Sequence, residues 1–235
     1  MGGKATADNG TNSDRITRID RIGTTNNRRA IGEAGISAAG LCLFALFAHS
    51  PFPLTIFSFI GLLAAACAIH LSLRQAPSAA HLLGFSFAGR RAAAWLVIGC
   101  VLGAALAALY RWKLGWGFLP SHLAGFAPAA AAIGAAEEVV YRGYVQSRLS
   151  RLGRFGAIVG ASFAHTAYKC ALFALPPYAA QTDLVFLAAC TFLGGLAFGA
   201  LREFARSVIP PLAAHAVFDI MVYGGMAHAP EWTWS

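Results

Sequence analysis

The sequence predicts an all-α, polytopic transmembrane bundle of about seven spans, six to eight at the limits, and three observations predict it. Of the 235 residues, 57% are hydrophobic and only 12% are charged. The apolar runs reach the roughly 20 residues that a helix needs to cross a hydrocarbon core of about 30 Å. Lys and Arg gather in alternate connections between those runs, as in a chain whose basic loops stay on one side of a membrane.

Residues 1–29 are polar, rich in Gly, Thr, Asn and Arg, and lack apolar periodicity, so they are expected to form a disordered basic cytoplasmic tail without a signal-peptide core. Residues 30–228 form one transmembrane domain, with spans expected near 30–48, 53–73, 92–110, 123–146, 155–175, 184–201 and 208–226. Pro128 is a candidate break in the fourth span, residues 75–89 read as a short interfacial segment, and 229–235 as a short C-terminal tail. Gly195 and Gly199, four apart in the sixth span, suit close helix packing.

With the amino terminus inside, the cytoplasmic set holds Lys4, Arg15, Arg18, Arg21, Arg28 and Arg29 of the tail, then Arg74, Arg90 and Arg91, then Arg148, Arg151 and Arg154, then Arg202 and Arg206. Only Arg111 and Lys113 fall on the far side, next to Trp112, Trp116, Trp232 and Trp234, which suit an outer interfacial belt. The net charge of +8 is therefore topological rather than a nucleic-acid footprint, since no single patch collects it. Cys42, Cys67, Cys100, Cys170 and Cys190 lie inside spans without paired spacing and read as packing residues rather than a disulfide framework or metal set.

Ionisable side chains inside spans cost roughly 2.5 to 3.5 kcal/mol each on insertion scales, so they mark function. Glu137, Glu138 and Arg142 close the fourth span, His165 lies in the fifth, and His215 and Asp219 in the seventh. On helices the pairs Glu138/Arg142 and His215/Asp219 each share a face. Counting from Arg148, Arg154 and Arg206 at a rise of 1.5 Å per residue, Glu137, His165 and His215 all lie about 14 to 17 Å deep, and Asp219 near 20 Å. Three spans thus bring a carboxylate and two imidazoles to one level.

A carboxylate and an imidazole around one water can deprotonate it for attack on a carbonyl, and a second imidazole with a short polar partner can donate to the oxyanion. Glu137 is the candidate base, with Glu138 held by Arg142. The alternative is that these groups are paired polar side chains that fix helix packing. Lys169, one turn past His165, reads as snorkelling or pairing with a site carboxylate, outside the mechanism.

The order Glu-Glu-xxx-Arg, then His, then His-xxx-Asp in separate hydrophobic spans resembles the CPBP family, the CAAX-protease and bacteriocin-processing intramembrane peptidases. The resemblance covers roughly residues 129–223; Pro210, Pro211 and the 194–199 glycines also look like the family's third block. It implies an intramembrane endopeptidase; the depth count places its site toward the cytoplasmic half of the membrane, and the Ala-, Gly- and Arg-rich usage suggests a bacterial inner membrane. Glu137 would activate water, supported by Glu138, Arg142 and His165, with His215 and Asp219 at the oxyanion. The implied partners are peptide or protein substrates, prenylated in some members, and the lipid bilayer. Two departures stand out. The Phe usual four residues before the His is Ala161 here, with Phe163 two before it, and Asp219 stands where many members have Asn.

Glu137, His165 and His215 also compose a possible zinc site with an open position, as in a metallopeptidase; the reading preferred here is metal-free and glutamate-type, with no cofactor. Gly160-Ala161-Ser162-Phe163 resembles the rhomboid nucleophile motif with His215 as base, but that reading leaves Glu137, Glu138 and Arg142 without a task. A proton- or ion-coupled transporter is a further alternative, though no repeated pair of interrupted spans accompanies the buried charges. A catalytically silent scaffold or immunity protein is another. An alkaline-phosphatase reporter, active only outside the cytoplasm, is expected to be active when fused after Lys113 and silent when fused after Arg151.

Overall fold

The structure, a computed structural model, describes residues 10–86, 90–176, 178–180 and 182–227, with side chains from residue 27 onward except that of Arg90. Among the described residues every regular element is helical: α1 Gly10–Phe47, α2 Thr55–Gln75, α3 Ala79–Leu83, α4 Arg90–Lys113, α5 Ala127–Glu138, a π-helical segment Val139–Val145, α6 Gln146–Leu149, a 3-10 turn Ser150–Leu152, α7 Gly153–Leu172, α8 Leu184–Ala205 and α9 Ile209–Tyr223. Four stretches are long and apolar enough to cross a membrane: Asn27–Phe47, Thr55–Gln75, Arg91–Lys113 and Leu184–Ala205. The other three expected spans carry the buried charges, and α9 is short, at 15 residues. Large apolar side chains face outward, Phe155 at 79% and Val185 at 80% exposure, as a lipid-facing surface requires and a water-facing one does not tolerate.

Two boundaries differ from the sequence reading. Residues 10–29, expected as disordered tail, are drawn into α1; no proline interrupts 10–47, and Arg29 Nε donates to Glu33 one turn later at 2.9 Å. Residues 1–9, with Lys4, and the expected tail 229–235, with Trp232 and Trp234, lie outside the described residues. The fourth span, expected from 123, becomes helical only at Ala127, so Pro128 marks its start rather than a break within it. It sits in the first turn of α5, where its missing N–H has no helical partner to lose.

Glycines set the helix spacing. A Cβ on Gly40 of α1 would lie 2.6 Å from the Gly61 carbonyl oxygen of α2, and one on Gly61 only 2.5 Å from that of Gly40. On α4, a Cβ at Gly99 would meet the Pro210 carbonyl oxygen at 2.5 Å, and one at Gly103 would strike that of Ala214. Backbone therefore lies directly on backbone along α4 and α9, which fixes the helix that carries His215.

Both ends of α9 are tied to loops. At its start, Val208 N–H donates to the Gly84 carbonyl at 2.9 Å. Gly84 ends α3 in a left-handed conformation, φ 77°, that suits glycine. At the other end, buried Arg111 donates from Nε to the Gly117 carbonyl (2.5 Å), from Nη1 to Met221 (2.9 Å) and from Nη2 to Leu119 (3.0 Å). That one guanidinium pins the 114–126 loop across the carbonyl end of α9. Replacing Gly103 by Leu is expected to cost about 1 to 3 kcal/mol through overpacking. A clear fall in thermal midpoint in detergent would show it, with the exposed Val101→Leu substitution unchanged beside it.

Candidate functional site

The backbone widens where the charges begin. Gln146 N–H reaches back to the Tyr141 carbonyl, a five-residue step, so the turn 139–145 holds more residues than an α-helix would. An α-helix with one buried face cannot bury five consecutive residues, yet Tyr141, Arg142, Gly143, Tyr144 and Val145 are all buried. Wide turns of this kind recur at functional sites. Here it turns Arg142 inward beneath Glu138.

Arg142 is the junction of the cluster. Its Nη1 donates to Glu138 Oε1 at 3.0 Å and contacts His165 Nδ1 at 2.9 Å. A guanidinium only donates, so His165 Nδ1 accepts, Nε2 carries the proton, and Nε2–H donates to Glu137 Oε2 at 3.1 Å. Glu138 Oε1 also receives His215 Nδ1–H at 2.8 Å. That leaves His215 Nε2 facing Glu137 Oε2 at 3.8 Å and Asp219 Oδ2 at 3.9 Å. Glu137, Glu138, Arg142, His165, His215 and Asp219, the six residues singled out in the sequence, are all buried and lie in one connected cluster.

Missing side chains make the room. A Cβ on Gly134, one turn before Glu137, would collide with Asp219 Oδ2 and lie 2.9 Å from His215 Cδ2. On α8, a Cβ at Gly195 would come within 2.9 Å of Arg142 Nη2 and 3.0 Å of Ser162, and one at Gly199 within 3.0 Å of Ile158. The glycine face of α8 thus packs on α7 and leaves space for the guanidinium, which lies over the Phe198 ring at 6.0 Å.

The aromatic lining comes from other places than the sequence suggested. Phe163 is 68% exposed and points away from the site, because two residues before His165 is nearly the opposite face of α7. Tyr141 supplies the ring instead, stacked on His165 at 4.5 Å, while Phe198 lies 5.5 Å from the His215 ring. Ser162, the nucleophile of the rhomboid reading, is fully buried and donates its hydroxyl back to the Ile158 carbonyl at 2.7 Å. It is a helix-packing residue.

Of the two readings of Lys169, the structure shows the pairing with a site carboxylate: its Nζ lies 2.5 Å from Glu137 Oε1, and its four-residue spacing from His165 places both on one face of α7. Among the described residues, no group of three or more His, Cys, Asp or Glu side chains is arranged to hold a metal ion.

A cavity of about 460 Å³ opens onto the cluster. Arg142, His165, Lys169, His215 and Asp219 line its polar part, and Leu106, Tyr110, Ile133, Phe186 and Phe218 are among its apolar walls. Its walls come from the ends of α4, α7, α8 and α9 opposite those bearing Arg91, Arg154, Arg202 and Ile209. The basic ends are closed by polar ties: Arg202 to Ser147 (2.5 Å) and Glu203 (2.6 Å), and Gln146 to the Gly199 carbonyl (3.1 Å) and Glu203 (3.0 Å).

Residues 119–221 match the family model described as type II CAAX prenyl endopeptidase Rce1-like. Over this segment the chain is similar to the CAAX-protease family. The matched segment starts before α5, ends within α9 after Asp219, and takes in every residue of the cluster; α1 to α4 lie outside it. Comparison with curated proteins and with solved structures gives no match. In this cluster, Gly134→Ala is expected to displace His215. The low-field imidazole N–H resonance of the His215 proton held by Glu138 should shift or vanish in this variant, and persist in Gly125→Ala, where an added Cβ meets nothing within 4 Å.

Proposed function

We propose that this protein is a multi-pass intramembrane endopeptidase of the glutamate type, and that Glu137 is its general base. The observation that carries the reading is the position of Glu137 Oε2, between His165 Nε2 at 3.1 Å and His215 Nε2 at 3.8 Å, two imidazoles that themselves line an apolar cavity.

A water hydrogen-bonded to Glu137 Oε2 gives up a proton to it as its oxygen attacks the scissile carbonyl carbon. The new C–O bond places the electron pair on the carbonyl oxygen. His215 in its imidazolium form, with Nδ1–H held by Glu138, donates Nε2–H to that oxyanion. Collapse breaks the C–N bond, and Glu137 returns its proton to the leaving nitrogen, so that an amine and a carboxylic acid depart, the acid then releasing water's second proton to solvent. His165 fixes the Glu137 oxygen that works, Arg142 fixes both Glu138 and His165, and Asp219 steadies the Nε2 side of His215.

The substrates of this reading are peptides or proteins, prenylated or leader-type, that approach within the bilayer. Lys and Arg placement puts the amino terminus and the basic helix ends in the cytoplasm of a bacterial inner membrane. The cavity then extends from His215 and Lys169 toward the opposite leaflet, and the cut moves from the cytoplasmic half expected from the sequence toward the membrane interior. A zinc-dependent version would use Glu137, His165 and His215 as ligands, and the metal would supply Lewis-acid activation of water. Two fixed cations already stand at those donors, Lys169 on Glu137 and Arg142 on His165, and their charge favours the metal-free reading.

Purified protein in lipid, given a panel of lipidated and unlipidated peptides, is expected to cleave at least one of them. Glu137→Gln should lose about 10²- to 10⁴-fold in kcat, as for removing a general base, and Ser162→Ala should cleave normally. Activity should persist in strong chelator. Cleavage lost on chelation and restored by zinc alone would assign the metal-dependent version instead.

A further inference from the structure

We propose that Lys169 is a positioning residue for the Glu137 carboxylate, an inference that rests on Glu137 being the base. Two successive turns of α7 grip the two oxygens of Glu137 separately: His165 Nε2–H holds Oε2 at 3.1 Å, and Lys169 Nζ holds Oε1 at 2.5 Å. The grip follows from the four-residue spacing, which stacks the two side chains on one face of α7 opposite the end of α5.

The two oxygens are therefore unequal. Oε1 is committed to an ammonium that makes a short, charge-assisted contact, whereas Oε2 also looks toward His215 Nε2 at 3.8 Å and is the oxygen beside the reacting centre. An unrestrained carboxylate would rotate about its last bond and present either oxygen, since that torsion is broad and roughly two-fold. Lys169 removes that freedom. It also carries a positive charge in a largely apolar surrounding, where an unpaired ammonium would be costly, so its conformation is fixed by Glu137 as firmly as Glu137 is fixed by it.

Lys169 lines the cavity and keeps its side chain 24% exposed. It thus forms the boundary between Glu137 and whatever occupies the cavity, without standing between Oε2 and His215. Its role is orientation of the base, not proton transfer, and a carboxylate misaligned by even 1 Å loses rate steeply.

The test is steady-state cleavage in lipid by wild type, Lys169→Met, Lys169→Arg and Glu137→Gln, together with thermal midpoints of Lys169→Met, Glu137→Gln and the double variant. Lys169→Met is expected to lower kcat on the order of 10- to 100-fold with KM within a factor of two, because a misaligned base weakens transition-state stabilisation while substrate binding is untouched. Lys169→Arg should regain most of the loss, because the charge is kept. The midpoint losses of the two single variants should be less than additive in the double variant. A Lys169→Met enzyme with wild-type kcat would overturn the proposal. So would one changed only in KM, or one matched by an equally impaired Lys169→Arg. If no peptide is cleaved, strictly additive midpoint losses overturn the pairing, and sub-additive ones support it. Full activity of Glu137→Gln, by contrast, would remove the peptidase reading itself.

Discussion

Arg142 and Glu138 form the contact on which the rest of the site depends. Both side chains are almost fully buried, at 1% and 0% exposure, so each would be intolerable there without the other. Their pairing alone would be a costly way to join two turns of one helix. It becomes useful because each partner reaches further: the guanidinium to His165 of α7, the carboxylate to His215 of α9. One ion pair thereby sets the tautomer of one imidazole, orients the other, and holds three helices in register. Removing either partner would strand a charge in an apolar core, and the loss would spread to every group in the cluster.

The apolar scaffold allows this by placing glycine wherever a methyl group would obstruct. Gly134 makes way for Asp219 and His215, Gly195 for Arg142, and Gly99 and Gly103 for the backbone of α9. In a membrane, where lipid tails and side chains are equally apolar, close backbone approach and polar contacts drive helix association. The site residues and the glycines are therefore parts of one packing solution. The chemistry requires close convergence of charged groups, and the glycines permit the approach.

Much of this was legible in the sequence because it depends on spacing. Apolar run lengths announced the long helices α2, α4 and α8, and counting from the basic residues placed Glu137, His165 and His215 at one depth, where they are indeed in contact. Other features left no local signal. The wide turn at 139–145 arises from tertiary packing around Arg142 and has no characteristic residue pattern. Pro128 is compatible with either a helix start or a kink, and only the backbone decides between them. The aromatic on His165 is Tyr141, from a different element, and so was invisible to a search along α7. Lys169 was visible by spacing, but a long flexible cation can reach water or a carboxylate, and spacing does not choose.

The π-helical segment has a consequence for how the chain tolerates change in length. Glu137 and Glu138 precede the wide turn, whereas Gln146 and Arg148 follow it and anchor the helix to Gly199 and Glu203 on α8 and to Glu33 on α1. Because the wide turn absorbs an extra residue, deleting one residue between 139 and 145 would let ordinary α-helical pitch return with Glu137 and Gln146 near their present angular positions. The anchors on α1 and α8 would then hold, and the change would fall on the inward side chains of the turn itself, Arg142 among them. A residue lost in α5 or α6 has no such slack, and everything beyond it would rotate by about 100°. The stretch is a phase-absorbing insert, which lets the carboxylates and the anchors on two other helices each keep their own register.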